Sequence, residues 1–389
     1  MNPLLYIAKG ELFYKQENSS QAICCNAIEN YKKNLQEINQ RKEWKTKGTG
    51  AAFMGVINYD DHAAYEKERI FPSDAIICET NTIIYSALLH NGTAIYSKTL
   101  TNTEEQEGLI LRKNDFKVYE MDFDAINQRL ALSVSALGYE RHLAILELES
   151  ADIHYVTEGD CHDCNPSFDP HNPDILYYDS CGLAYDRDGN LCGLGPKGIF
   201  RLNLKTGSLD EILCDPKYDF SKPKMDTAGN LYFIKKPYQS KNESTFSIKD
   251  IIFAPVKITK AILGWLDFFT QRYAGESLKT TTGSHPAKMK QRSEEELFIE
   301  GNLINVKKSL EENQKSGEKY PGIAPKSWEL IKMPPNQNLV TLKKGVLSYQ
   351  LKKDGSIFYS NGKHLIEIES ASIEKLLFEQ ELITKIICS

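Results

Sequence analysis

The chain is 389 residues long, 41% hydrophobic and 26% charged, a globular composition that excludes wholesale disorder, a collagen-like fibre and a disulfide mini-protein. Its 47 basic and 53 acidic side chains leave a formal charge of −6, which argues against bulk electrostatic capture of nucleic acid. Nine cysteines are an odd number, so they cannot all pair internally. The first residues carry no basic stretch ahead of a short apolar run, so a reducing cytoplasm is the expected location. Ile251–Phe269, the most apolar stretch, contains Pro255, Lys257, Lys260 and Asp267 and does not read as a membrane span.

In chain order, short β-rich runs alternate with turn signals. Leu4–Ile7 and Glu11–Tyr14 flank Lys9-Gly10. Residues 27–47 break the pattern, with Ile28, Tyr31, Leu35 and Ile38 at helical spacing. Gly48–Gly55 follows; it is neither a Walker loop nor a dinucleotide fingerprint and reads as a turn. Strand pairs then recur: Thr82–Leu89 with Thr93–Ser97, Lys117–Phe123 with Arg129–Val134, and His142–Leu148 with Ile153–Thr157. Ile175–Tyr178, Gly198–Leu204, Ser208–Leu213 and Leu231–Ile234 come next, and Leu339–Leu342 to His364–Glu369 close the series. Gly, Asn and Asp between the runs are hairpin signals. No βαβ alternation occurs, which disfavours a parallel sheet.

The units lie about 40–50 residues apart, the spacing of four-stranded propeller blades. One unit runs Asn165-Pro166-Ser167-Phe168-Asp169-Pro170, then Pro173–Tyr178, then Ile199–Leu204, Lys205-Thr206-Gly207 and Leu209–Leu213. It resembles the repeat of bacterial TolB-type (WD-like) β-propellers. The segments around Arg129–Leu148 and Lys222-Pro223-Lys224-Met225-Asp226 follow the same pattern more loosely. The resemblance implies an all-β propeller of about six four-stranded blades, with seven as the alternative. It implies a fold and not an activity. About 90 residues separate Ile234 from the next blade strand at Trp328, too many for a bare loop. We therefore expect 1–238 and 328–389 to form the propeller, and 239–327 to form a helical subdomain inserted in the penultimate blade.

Cys161-x-x-Cys164, Cys181 and Cys192 lie within one blade. If they fall on loops that open on one propeller face, the four thiols form a tetrahedral zinc site; otherwise they are small buried hydrophobes. His154, His162 and His171 are further donors nearby. A redox role for Cys161 and Cys164 lacks the helix N-terminus such chemistry uses. Asp186-x-Asp188-Gly189-Asn190 lacks the Gly and Glu of a calcium loop and reads as a turn. No G-x-S-x-G nucleophile elbow occurs, and His62 beside Asp60-Asp61 reads as a surface residue.

In the insertion, Pro255 is placed to open a helix. Ile258, Ile262, Trp265, Leu266, Phe269 and Tyr273 share one face of it, and Gly275 ends it. That face either packs on the propeller or docks in a groove of a protein partner. Contact with a membrane surface through 255–292 is the lesser reading, since Lys288 and Lys290 lie in an acid-free flank. The sequence thus favours a non-catalytic cytoplasmic scaffold for protein–protein interaction. A lyase or hydrolase at the mouth of the central channel is the alternative. A zinc-stabilised sensor, or a component beside a MoxR-type ATPase, as in bacterial propellers that the chain resembles in its cytosolic propeller and its Gly48–Gly55 stretch, is a further one.

Overall fold

The computed structural model describes residues 4–16, 19–46, 70–79, 81–100, 107–136, 139–185, 187, 191–239, 296–299, 302–335, 338–369 and 373–388. The first blade begins with β1 (Leu4–Ala8), β2 (Glu11–Gln16) and β3 (Ser19–Ala22), followed by helix α1 (Asn26–Thr46). The second holds β4 (Phe71–Glu79), β5 (Thr82–Leu89), β6 (Gly92–Thr99) and β7 (Glu107–Lys113). The third holds β8 (Lys117–Asp124), β9 (Arg129–Ser135), β10 (His142–Glu147) and β11 (Ile153–Tyr155). The fourth holds β12 (Cys161–Phe168), β13 (Ile175–Tyr185), β15 (Gly198–Asn203) and β16 (Leu209–Leu213), with β14 (Leu191–Leu194) paired to the far end of β13. The fifth holds β17 (Tyr218–Met225), β18 (Leu231–Pro237), β21 (Glu329–Met333) and β22 (Val340–Lys344). Between β18 and β21 stand the hairpin β19 (Glu296–Ile299) and β20 (Asn302–Asn305), and helix α2 (Val306–Lys315). The sixth holds β23 (Ser348–Leu351), β24 (Ile357–Ser360), β25 (His364–Glu369) and β26 (Ile373–Glu379).

The last strand, β27 (Ile383–Cys388), closes the ring. It takes the innermost place of the first blade, antiparallel to β1, with Leu4 opposite Cys388 and Leu5 opposite Ile387. Six four-stranded blades therefore surround one axis, and the first is built from both ends of the described chain. The inner strands are β27, β4, β8, β12, β17 and β23.

Burial follows position in the blade. Second strands pack on both faces against neighbouring blades, so their sequences are continuous apolar runs. β1 (Leu-Leu-Tyr-Ile-Ala) is buried at all five positions, and β5 is buried throughout after Thr82. Outer strands β16 and β22 have no fully buried residue, only exposed and half-buried ones. Helix α1 packs Ile28, Tyr31 and Leu35 against Leu5, Leu12, Ile70 and Ala75 of the first two blades, while Ile38 stays 45% exposed. The Glu107 carboxylate accepts the Ala27 N–H at 2.7 Å, occupying a donor at the helix start. No helix among the described residues is long and apolar enough to cross a membrane.

Candidate functional site

Inner strands have one edge on the channel, so a proline there removes no ladder hydrogen bond. That is why X-Pro pairs occur in β12 and β17. The pairing skips from Cys164 to Ser167 in β12 and from Ser221 to Lys224 in β17. The bulged residues, Asn165 (φ +51°) and Lys222 (φ +57°), take left-handed backbone conformations immediately before Pro166 and Pro223. Such conformations cost about 1–3 kcal/mol each and persist only where the surroundings hold them.

Asp179 holds both. Its fully buried carboxylate accepts the Asn165 side-chain amide at 2.7 Å, the Lys222 backbone N–H at 2.9 Å and the Lys197 ammonium at 2.6 Å. Tyr349 of the sixth blade donates its hydroxyl to the Lys222 carbonyl at 2.6 Å. Similar ties run around the ring. Asp74 of the second blade accepts Met121 N–H of the third at 2.7 Å and Lys385 of β27 at 2.8 Å. Asp122 of the third accepts Phe168 N–H of the fourth at 2.7 Å. Burial raises Asp122 above the ordinary carboxyl range, against the opposing pull of Lys224. Burial likewise lowers Lys224, against Asp122. Burial also disfavours the charge on Lys197, yet Asp179, with Cys164 and Cys181, outweighs it and holds Lys197 well above the ordinary lysine value.

A small cavity of about 30 Å³ lies within this wall, lined in part by Glu120, Asn165, Lys222, Lys224, Gln350 and Lys385. That is room for a water molecule and little more. No histidine is among its lining residues.

The upper mouth, at which the inner strands begin, is covered by the insertion. Ile304, Ile323, Ala324 and Trp328, with Val306, pack onto Phe71, Leu88, Tyr119, Leu347 and Leu382. Tyr119 stacks under the Arg141 guanidinium at 3.7 Å from the ring centroid, and Arg141 pairs with Glu120 at 3.6 Å. The returning strap is fastened to the turn between β24 and β25: the Asn361 carbonyl accepts the N–H groups of Ile323 and Ala324, each at 3.0 Å. The Asn313 side chain on α2 donates to the carbonyls of Gly322 at 2.7 Å and Ala324 at 3.1 Å.

The cysteines lie inside strands and not on loops. Cys161 and Cys164 open β12, and Cys181 is in β13. Alternation along a strand sends residues three apart to opposite faces. Cys161 therefore shares a face with Asp163. His162 and Cys164 share the other face with Cys181, which stands opposite His162. Cys192 lies in β14, and its side chain is outside the described residues. Burial pushes the thiols of Cys164 and Cys181 up to about 12. His154 and His171 stand elsewhere; the His171 ring meets the Thr227 carbonyl at 2.8 Å.

A residue that spacing did not single out, His142, meets Cys161. Its Nδ1 lies 3.7 Å from the Cys161 sulfur, which lies 3.4 Å from Asp163 Oδ2. All three potential ligand atoms fall within 4.8 Å of one another. Burial, then Asp163, raises the Cys161 thiol above its ordinary value. That is the reverse of what activates a nucleophile, which needs the thiolate favoured. What this trio offers is a donor set of sulfur, imidazole nitrogen and carboxylate oxygen.

Ile258, Ile262, Trp265, Leu266, Phe269 and Tyr273 lie outside the described residues, as do Gly48–Gly55, His62 and Asp186, Asp188 and Asn190.

No family model and no curated protein sequence matches the chain. Among solved structures, TolB from Acinetobacter baumannii superposes on 99% of this chain with a TM-score of 0.50 at 9% identity; this chain spans 66% of that one. A nidogen/laminin complex structure covers 99% of this chain and 97% of its own, with a TM-score of 0.47 at 8% identity. An oligogalacturonate lyase from Vibrio parahaemolyticus covers 79% of this chain and 80% of its own, with a TM-score of 0.39 at 10% identity. Likeness at such identities speaks to fold alone. By its six-blade ring, its X-Pro inner strands and this superposition, the chain has the fold of a TolB-type β-propeller.

Proposed function

We propose that the protein is a non-catalytic cytoplasmic scaffold that presents the segment inserted in its fifth blade to a protein partner. The observation that carries this reading is that both flanks of residues 240–295 are anchored at one end of the ring. On the outgoing side, Tyr238 donates its backbone N–H to the Lys217 carbonyl at 2.9 Å and its hydroxyl to the Leu194 carbonyl at 2.6 Å. On the returning side, Ile304 and the strap at Ile323-Ala324 are packed over the channel mouth. A rigid ring holding both ends of a variable segment is a common way to position binding residues. Within that segment, Trp265 and Phe269 are the anchors, because buried aromatics dominate interface energetics.

Replacing both Trp265 and Phe269 with Ser is expected to leave the thermal midpoint unchanged while abolishing recovery of the partner cross-linked to the wild-type chain. A double variant that unfolds would instead mean that this face packs on the propeller. A metal-stabilised form of the same scaffold is a second reading, favoured by the His142, Cys161 and Asp163 trio.

A further inference from the structure

The geometry points to a three-ligand divalent-metal site formed by His142 Nδ1, Cys161 Sγ and Asp163 Oδ2, which staples the third blade to the fourth and keeps one coordination position open. This makes the metal reading specific and is independent of the scaffold reading. Zinc bonds of about 2.3 Å to sulfur and 2.0–2.2 Å to nitrogen and oxygen, at tetrahedral angles, place neighbouring ligand atoms roughly 3.5 Å apart. The observed separations are 3.7 Å from nitrogen to sulfur and 3.4 Å from sulfur to oxygen. The two edges that meet at sulfur are thus close to those of a tetrahedral zinc site, and the third, from His142 to Asp163, lies within 4.8 Å.

The positions are fixed by backbone. Arg141 donates its N–H to the Cys161 carbonyl at 3.0 Å, and Asp163 donates its N–H to the Arg141 carbonyl at 3.0 Å. His142 is thereby held beside Cys161 across the blade boundary. Asp163 is oriented in turn by the Thr157 hydroxyl, 2.6 Å from Oδ2, while that same hydroxyl accepts Leu143 N–H at 2.8 Å. Outer hydrogen bonds of this kind orient ligands in metal sites.

Charge also favours the assignment. A thiolate and a carboxylate together balance one dication, and the imidazole adds no charge. Sulfur and nitrogen donors select zinc and its neighbours over magnesium or calcium. Binding replaces the S–H bond with a sulfur–metal bond and releases one proton to solvent; no electron is transferred. Three protein ligands with a fourth place free is the pattern of sites that exchange water or an incoming ligand. Cys161 and His142 are only half-buried, so that place is reachable.

The test uses the full chain, freed of metal by a chelator and titrated with Co²⁺ as an optical reporter. The expected result is saturation at one equivalent, with thiolate charge-transfer absorption and the visible bands of tetrahedral cobalt, all reversed by Zn²⁺. Cys161→Ser and His142→Ala should each abolish those bands, whereas Cys164→Ser, Cys181→Ser and Cys192→Ser should each retain them. Thermal melts in chelator check that the variants are folded; His142→Ala, with its half-exposed ring, serves if Cys161→Ser is unstable. If the wild-type chain binds no cobalt or zinc, both the proposal and the metal reading fail. If it binds metal but the bands survive His142→Ala and vanish with Cys164→Ser or Cys181→Ser, the ligand set fails and the metal reading stands.

Discussion

Gly322 backs onto Asn361 so closely that a β-carbon on it would lie 2.3 Å from Asn361 Cγ and 2.4 Å from the Asn361 carbonyl oxygen. Beside it, Gly362 adopts φ +86°, and a β-carbon there would lie 2.4 Å from Ile323 Cγ1. Two glycines thus let the strap of the insertion lie directly on the β24–β25 turn. The contact couples the fifth blade to the sixth at the channel mouth.

Gly322→Ala is therefore expected to destabilise the protein by about 1–3 kcal/mol, because the atoms it meets include backbone that yields little. Gly182→Ala, with nothing within 4 Å of the added carbon, is the control and should stay within about 0.5 kcal/mol of wild type. Urea melts compare the two. Equal midpoints would mean that the strap is not held where it lies.

Asp179 joins Lys197, Asn165 and the Lys222 backbone. Asp179→Asn should cost about 3–5 kcal/mol, since it leaves the Lys197 charge without its buried partner. Adding Lys197→Met should recover much of the loss, because an apolar replacement of the whole pair removes the orphaned charge. Denaturant unfolding of wild type, single and double variants measures this; a single variant as stable as wild type would contradict it.

His364 gives the fold a pH dependence. Burial holds its imidazole below the ordinary value of 6.5, and its Nδ1 has no hydrogen-bond partner. On acidification the unfolded chain takes up this proton first. The contribution is complete above about pH 6.5 and is lost as pH falls toward the folded value. Burial raises the carboxyls of Asp122, Asp163 and Asp219, and their effect has the opposite sign. The difference between wild type and His364→Leu isolates the histidine: the gap in midpoint should change between pH 7.5 and 5.5 in the sense that acid costs the wild type more. A constant gap would contradict the assignment.

Local chemistry made the blades legible. Asn361-Gly362, Lys9-Gly10 and Lys205-Thr206-Gly207 mark turns, and the apolar runs between them are strands. Ring closure was not legible, since nothing local tells Ile383–Cys388 that its partner is Leu4–Ala8. The prolines at 166 and 223 were visible as a repeat, but the left-handed residues before them, and Asp179 that holds both, depend on contacts between blades. The C-x-x-C spacing suggested convergence because it presumes a loop. In a strand the same spacing divides the pair between two faces, and this is why the partner of Cys161 is His142, 19 residues earlier.

The most direct test of the scaffold account is the thermal midpoint of a chain in which residues 240–295 are replaced by a short Gly/Ser linker. If that segment is presented by a self-sufficient ring, the midpoint should stay within about 3 °C of wild type, corresponding to roughly 2–3 kcal/mol for a chain of this size. A large fall, or loss of cooperative unfolding, would show that the segment belongs to the propeller's own core and would contradict the account.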